Sequence, residues 1–176
     1  EECAATLGVP VPTIYVANNP TVNAYTFGTD DDAFIVLHSS LVDLFDEKEL
    51  KFVIGHETGH IQNKHVVYGT ILNVLLQGGS LFWPWLLLPA KVPLSAWFRR
   101  AEVTCDRAGL LCMPDLGAAS RSFLKLAVGS RKLFAELDVD EFVKQAKDGR
   151  SGVGRFSEAF ESHPYLPKRI EALRLF

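Results

Sequence analysis

Short apolar runs broken by polar turns characterise the chain between residues 9 and 38. Three of these runs are rich in β-branched and aromatic residues and cover residues 13–17, 23–28 and 33–38. The turns between them contain Asn, Pro, Gly and Asp, the residues that favour reversal of the chain. The pattern therefore predicts three strands of a small sheet.

From residue 39 onward the apolar positions recur at helical spacing. A short helix is predicted through residue 45, followed by a long helix from about residue 47 to residue 68, whose acidic first turn suits its dipole. Further helices are predicted at residues 1–7, 94–108, 117–128, 138–147 and 167–176. With 176 residues, the chain suits one α+β domain, dominated by helix, over residues 1–176.

An uncharged apolar stretch follows the long helix and covers residues 66–90. Its length suits a bilayer span, but two adjacent glycines and two prolines interrupt it. A buried helix broken near Gly78 is favoured; the alternatives are an interfacial hairpin and a transmembrane span. The hairpin would contact a membrane or lipid surface through three aromatic residues: Phe82, Trp83 and Trp85. Residues 71–95 are thus an apolar insertion that faces either the core or a membrane.

Composition and charge limit the partners of the domain. Apolar residues make up 48% and charged residues 22%, which excludes wholesale disorder. The net charge of -3 and the pI near 6.0 provide no basic field, so nucleic acid is not expected as a partner. Three cysteines, Cys3, Cys105 and Cys112, are too few for a disulfide framework and are expected to be reduced.

Residues 56–60 have the sequence His-Glu-Thr-Gly-His. On a helix, His56 and His60 lie on one face and can bind one metal ion, while Glu57 turns toward the same cleft. This pattern is typical of hydrolytic zinc sites and arises by chance in on the order of one per cent of chains with this content of His and Glu. A solvated helix surface is the alternative, but Phe52 and Val53 continue the same face, which indicates partial burial.

A catalytic zinc ion normally takes a third protein ligand. The remaining candidates are three histidines and three residues of a later helix: His38, His65, His163, Glu102, Cys105 and Asp106. Glu102 and Asp106 lie one helical turn apart, so one can bind the ion while the other orients a ligand histidine. A surface pair that bridges neighbouring arginines is the alternative, but beside the histidine motif Glu102 is the favoured ligand.

Taken with three other segments, the histidine motif resembles the zinc metallopeptidase family of HtpX and the CAAX prenyl proteases. Those segments are Asn-Ala-Tyr at residues 23–25, Glu-Val-Thr-Cys-Asp-Arg-Ala-Gly at residues 102–109 and His-Pro-Tyr-Leu-Pro-Lys-Arg-Ile at residues 163–170. The resemblance covers about residues 7–176 and is strongest to the small bacterial and plastid, plastoglobule-type members. It implies a zincin-like, gluzincin-type fold with the histidine motif on a long central helix, and a membrane-associated or plastid location.

The resemblance also implies a role for each site residue. His56, His60 and Glu102 would bind one Zn2+ ion, and Glu57 would be the general base. Asp106 would hydrogen-bond a ligand histidine. His163 would donate to the oxyanion, and Arg169 would support His163 or the substrate backbone.

The implied substrate is a polypeptide bound in extended form beside an exposed strand. The expected backbone contacts come from two segments: Asn23 and Ala24, and Phe34 and Val36. The alternative to a peptidase is a noncatalytic or latent zinc domain attached to a lipid surface.

Overall fold

The computed structural model of the chain describes residues 1–29, 32–67, 83–137 and 166–176, without the side chains of residues 83–95 and 167. Three strands form one sheet, in agreement with the prediction: β1 (Thr13–Ala17), β2 (Ala24–Gly28) and β3 (Ala33–His38). Strand β3 lies in the centre, parallel to β1 and antiparallel to β2. It is buried through its second half, so it forms the inner support of the sheet.

The described helices are α1 (Glu2–Leu7), α2 (Ser39–Leu44), α3 (Glu47–Gln62), α4 (Trp83–Cys112), α5 (Leu116–Val128), α6 (Arg131–Ala135) and α7 (Leu166–Arg174). The mainly helical α+β architecture is therefore confirmed. The short helix α6 was not predicted, and the helix predicted at residues 138–147 lies outside the described residues.

Helix α3 carries the histidine motif and begins with a capping box. The Asp46 carboxylate accepts from the backbone N–H of Glu49 at 2.9 Å, and the Glu49 carboxylate accepts from the backbone N–H of Asp46 at 2.9 Å. The helix ends at Gln62, so the predicted end near residue 68 was wrong. Asn63 bonds back to the Gly59 carbonyl, and Lys64 adopts a left-handed φ of 56°, which stops the helix.

Helix α4 begins at Trp83, eleven residues before the predicted start at residue 94. Prolines had been expected to interrupt this segment. Pro84 follows the first described residue of this helix. The helix also includes Pro89 and Pro93 in its interior, which proline propensity alone does not anticipate.

Helices α3 and α4 approach closely because glycines line their contact. A Cβ atom built on Gly59 would lie 2.8 Å from the Cβ of Ala108, and one on Gly55 would lie 2.8 Å from the Cβ of Cys112. Since real Cβ atoms need more space, any side chain at these positions would push the helices apart. The glycines thus bring the motif of α3 beside the turn of α4 that contains Glu102.

The main core packs around Phe52 of α3, and Cys3 and Cys112 belong to a second, smaller cluster. The rings of Phe52 and Phe123 meet edge to face at 5.4 Å, and Ile170 and Leu173 of α7 pack into the same cluster. This anchoring of α7 positions Arg169, which directly precedes Ile170, against α4. Cys3, Cys105 and Cys112 are buried free thiols, as expected.

Part of the apolar stretch lies beyond what the structure describes. Residues 68–82, which include Phe82, are outside the described ranges, as are the side chains of Trp83 and Trp85. Within the described parts of the chain, the helices lack a segment long and apolar enough for a membrane span.

Candidate metal centre

Two histidines of α3 and one carboxylate of α4 converge between the two helices. The Nε2 atoms of His56 and His60 lie 3.3 Å apart. The Glu102 carboxylate lies 3.4 Å from His60 Nε2 and 3.7 Å from His56 Nε2. His56 and Glu102 are buried and His60 is half-buried, so three lone-pair donors share one small and largely dehydrated space.

These separations fit a tetrahedral metal ion. Zinc binds nitrogen and carboxylate oxygen at about 2.0 to 2.2 Å, which places neighbouring ligand atoms roughly 3.3 to 3.6 Å apart at the tetrahedral angle. The observed 3.3 and 3.4 Å fall in that range, and 3.7 Å is just outside it. The three ligands predicted from the sequence are therefore brought together in an arrangement that can hold such an ion.

Asp106 orients the first of the two histidines. Its fully buried carboxylate lies 2.9 Å from His56 Nδ1. When the ring donates its Nδ1–H to this carboxylate, the lone pair is on Nε2, the atom that faces His60 and Glu102. The predicted contact between Asp106 and a ligand histidine is thus present.

Arg169 bonds both carboxylates of α4. Its Nε and Nη2 atoms donate to Asp106 at 2.8 and 2.5 Å, and its Nη1 lies 3.2 Å from Glu102. Burial alone would raise the pKa of Asp106, but the charge and hydrogen bonds of Arg169, together with the contact to His56, outweigh burial and hold this pKa below its usual value. Among the described contacts Arg169 supports metal-site carboxylates, whereas the sequence-based role was support of His163 or of the substrate.

Among the described residues, the centre groups acidic side chains around one guanidinium. These side chains are Glu57, Glu102 and Asp106, and Arg169 bonds the last two. Burial disfavours a proton on His60, yet hydrogen bonds to Cys105 and Glu102 raise its pKa well above the ordinary value. A divalent cation held by His56, His60 and Glu102 would place positive charge among these acidic side chains.

Glu57, the predicted base, has a partner that the sequence analysis missed. The hydroxyl of Thr26 lies 2.7 Å from the Glu57 carboxylate and 3.1 Å from its backbone carbonyl. Thr26 occupies the middle of β2, on the same face as Ala24 and Gly28, which are also less exposed than the residues between them. That period of two is the sequence signal from which an inward-facing hydroxyl could have been predicted.

Two of the predicted substrate contacts do not fit the sheet. Strand β3 is hydrogen-bonded on both sides, so the backbone groups of Phe34 and Val36 are already paired and that prediction was wrong. Asn23 accepts from His38 N–H and Ala24 pairs with Leu37, which places both at the start of β2. Among the described strands, β2 is paired on one side only and is the edge next to Glu57.

The remaining spare histidines have different positions. His163 lies outside the described residues. His38 is buried, and its Nδ1 lies 2.8 Å from the Thr21 carbonyl, a structural contact away from the centre. His65 is close to His60, with ring centroids 5.3 Å apart.

Comparison with known proteins assigns the whole chain to one group. The family profile described as Peptidase family M48 matches residues 1–175. The chain is 37% identical to "Plastoglobule-localized metallopeptidase 48, chloroplastic" of Arabidopsis thaliana, over 83% of this chain and 44% of that protein. It is 34% identical to "Protease HtpX homolog" of Tropheryma whipplei strain Twist, over 99% of this chain and 69% of that protein.

A solved structure shares the fold. The crystal structure of S. mikatae Ste24p superposes with a TM-score of 0.57 at 20% identity, over 98% of this chain and 49% of that one. The chain thus spans about half the length of the Arabidopsis relative and of Ste24p.

Proposed function

The chain belongs to Peptidase family M48, and we propose that it is a zinc-dependent metalloendopeptidase with a gluzincin-type active site. The convergence of His56, His60 and Glu102 beside the oriented carboxylate of Glu57 is the observation that carries this proposal. The first three supply the ligand set, and the fourth is placed to move a proton.

In this mechanism zinc, when bound by the three ligands, would act as a Lewis acid toward the scissile carbonyl and lower the pKa of a water molecule to about 7. Glu57 takes the proton of the attacking water and passes it to the leaving amide nitrogen. Because Thr26 donates a hydrogen bond to one Glu57 oxygen, the carboxylate is restrained in one orientation while the other oxygen is available for the proton. Asp106 and Arg169 hold the ligands in place through the contacts described above.

The substrate is proposed to be a polypeptide that pairs with β2. An extended peptide can add to the unpaired side of an edge strand through backbone hydrogen bonds, which read the main chain more than the side chains. Residues 24–28 would provide these groups, and the hydroxyl of Thr26 would connect the strand to the base. His163 remains the proposed donor to the oxyanion, on the resemblance alone.

The test combines metal analysis with digestion of an unfolded protein. Purified protein is expected to contain about one zinc ion per chain, to cleave casein, and to lose this activity with a chelator and regain it with zinc. A Glu57→Gln variant that keeps its zinc and still cleaves casein at the wild-type rate would refute the mechanism. Zinc binding without cleavage by the wild type would favour the noncatalytic or latent lipid-surface domain instead.

A membrane-associated location, in a plastid or on the cytoplasmic side of a membrane, is a second part of the proposal. It is supported by the name of the plastoglobule-localized relative and by the sequence around Trp83 and Trp85. Flotation with liposomes is expected to carry the wild type and to leave behind a variant with Trp83→Ala and Trp85→Ala. If neither protein floats, membrane contact through these residues is refuted.

A further inference from the structure

A second group of potential metal ligands adjoins the centre and shares one residue with it. His60, His65 and Cys105 each offer a ligand atom, and these atoms lie within 4.8 Å of one another. We propose that these three residues form a second, thiol-containing metal site, which competes with the catalytic site for His60. The proposal rests on the proposed function only for the catalytic role of His60.

His65 and Cys105 belong only to the second site, and the distance between them suits a bound ion. The Sγ atom of Cys105 lies 3.5 Å from Nδ1 of His65. For zinc, with about 2.3 Å to sulfur and about 2.0 Å to nitrogen, the tetrahedral angle places the two ligand atoms roughly 3.5 Å apart. The two side chains therefore need little movement to take an ion between them.

The chain places His65 there through an abrupt turn. Helix α3 ends at Gln62, and the left-handed Lys64, with φ of 56°, reverses the chain so that the next residue returns toward His60. A left-handed φ costs a lysine more conformational free energy than it would cost a glycine, so the surrounding structure holds Lys64 in this conformation. On its other side the His65 ring meets Trp97 edge to face at 5.2 Å.

Cys105 approaches from the opposite helix. It lies in the interior of α4 with no exposed surface, three residues after the ligand Glu102. Its neighbour in the contact between the helices is Gly59. A Cβ atom built on this glycine would lie 3.2 Å from the Cα of Cys105. The thiol is therefore directed between α3 and α4 at the level of His60.

A thiolate with two imidazoles selects borderline and soft metals such as Zn2+, Co2+ and Cd2+ over Mg2+ or Ca2+. Binding would release the thiol proton of Cys105 to solvent, because the thiolate is the ligand form. A neutral imidazole has one lone pair, so His60 serves one ion at a time. An ion in the second site would consequently remove a ligand from the catalytic ion, and excess metal would inhibit the enzyme.

The experiment follows sulfur ligation directly. Metal-free protein is titrated with Co2+, and the near-ultraviolet charge-transfer band of thiolate bound to cobalt is recorded together with bound Co2+ per chain. The wild type is expected to take its first equivalent without this band and to develop the band as Co2+ goes into excess. Cys105→Ala should lose the band, and His65→Gln should raise the apparent Kd of the band-forming step at least tenfold.

Cys112→Ala is the matched control. This residue is also a buried thiol, two turns further along α4 and outside the cluster, so its loss should leave the band intact. Circular dichroism and a second variant, Cys105→Ser, guard against misfolding of Cys105→Ala. Absence of the band in wild type with excess Co2+, or its persistence in folded Cys105→Ala, would overturn the second site and show a simple thiol–imidazole hydrogen bond.

Peptidase activity separates the two proposals. A cobalt–thiolate band in a protein that never cleaves casein would overturn the proposed function and support the second site. Cleavage by a protein that never shows the band would support the proposed function and overturn the second site.

Discussion

The two ends of α3 both bury carboxylates, but they treat the charge differently. At the start of the helix, Glu49 has no exposed surface and accepts from Lys125 Nζ at 2.6 Å, from Arg121 Nε at 3.1 Å and from a backbone N–H of the capping box. We call this group the N-terminal cluster; its members are Asp46, Glu49, Arg121 and Lys125. Its two carboxylates face two cations, so the cluster is complete as it stands.

In the metal centre, in contrast, the described residues group three carboxylates with the guanidinium of Arg169. Two imidazole nitrogens and the Glu102 carboxylate also lie within 3.3 to 3.7 Å of one another. Buried charge is costly unless compensated. The comparison shows that a buried acidic residue is not itself a sign of function; the sign is a carboxylate whose oxygens converge with two imidazole nitrogens.

Removal of the ion should have the largest effect. Chelation is expected to bring casein cleavage to background and to lower the melting temperature, because a ligand at about 1,000 times its Kd stabilises the folded state by about 4 kcal/mol. In the N-terminal cluster, Glu49→Gln should lower stability by about 2 kcal/mol and leave the zinc content at one per chain. Metal analysis and thermal melts check both; an unchanged melting temperature after complete chelation would show that the ion does not stabilise the fold.

Replacement of Glu57, the proposed base, comes next. Glu57→Gln should reduce kcat by about a hundredfold to ten-thousandfold, the usual contribution of a general base, and retain zinc. Glu49→Gln makes the same chemical change on the same helix and should retain kcat. Assays with a fluorogenic peptide at fixed zinc measure this difference, and equal losses in the two variants would mean that the effect is one of folding.

The two arginines provide a third contrast. Arg169→Met leaves two buried carboxylates without their cation and should cost about 3 to 5 kcal/mol of folding stability and about 10 to 100-fold in zinc affinity. Arg121 has a side chain 41% exposed to solvent, which screens its charge, so Arg121→Met should cost about 1 kcal/mol or less and leave zinc affinity unchanged. Urea denaturation and competition with a chromogenic chelator give the two quantities. Equal costs would contradict the distinction drawn between the clusters.

The smallest expected effect concerns Thr26. Thr26→Val keeps the shape but removes the donor to Glu57, and kcat should fall by about tenfold, which corresponds to about 1.4 kcal/mol, with less change in KM. Thr26→Ser restores a hydroxyl and should recover most of kcat. If serine fails to rescue while the fold is intact, the hydroxyl does not position the base.

Local patterns predicted the elements well because backbone geometry sets their periods within a few residues. The three strands, the helix with the histidine motif and the helices near residues 117–128 and 167–176 follow from such patterns. The ends of elements were less accurate. Helix α3 stops at Gln62 because of Asn63 and Lys64, and α4 extends back to Trp83 across prolines.

The sequence predicted contacts between distant segments only where a further pattern, such as a helical spacing, supported them. Glu102 and Asp106 share one helix face at a spacing of four, and the resemblance supported their roles. Thr26 lies 31 residues from Glu57, and Arg169 lies 63 residues from Asp106. The period of two in β2 predicted an inward-facing Thr26 without identifying its partner. The contacts of Arg169 with Glu102 and Asp106 were not predicted from the sequence.

By itself, the sequence determined which side chains are available for metal chemistry and which helix presents two of them on one face. Only the tertiary structure decided that Glu102 reaches both histidines, that Arg169 binds the carboxylates of α4 and that His65 returns beside Cys105. The physical reason is that spacing on a helix is fixed by its hydrogen bonds. Convergence between helices depends instead on how closely they pack, here through Gly55 and Gly59, and on the core that anchors α7.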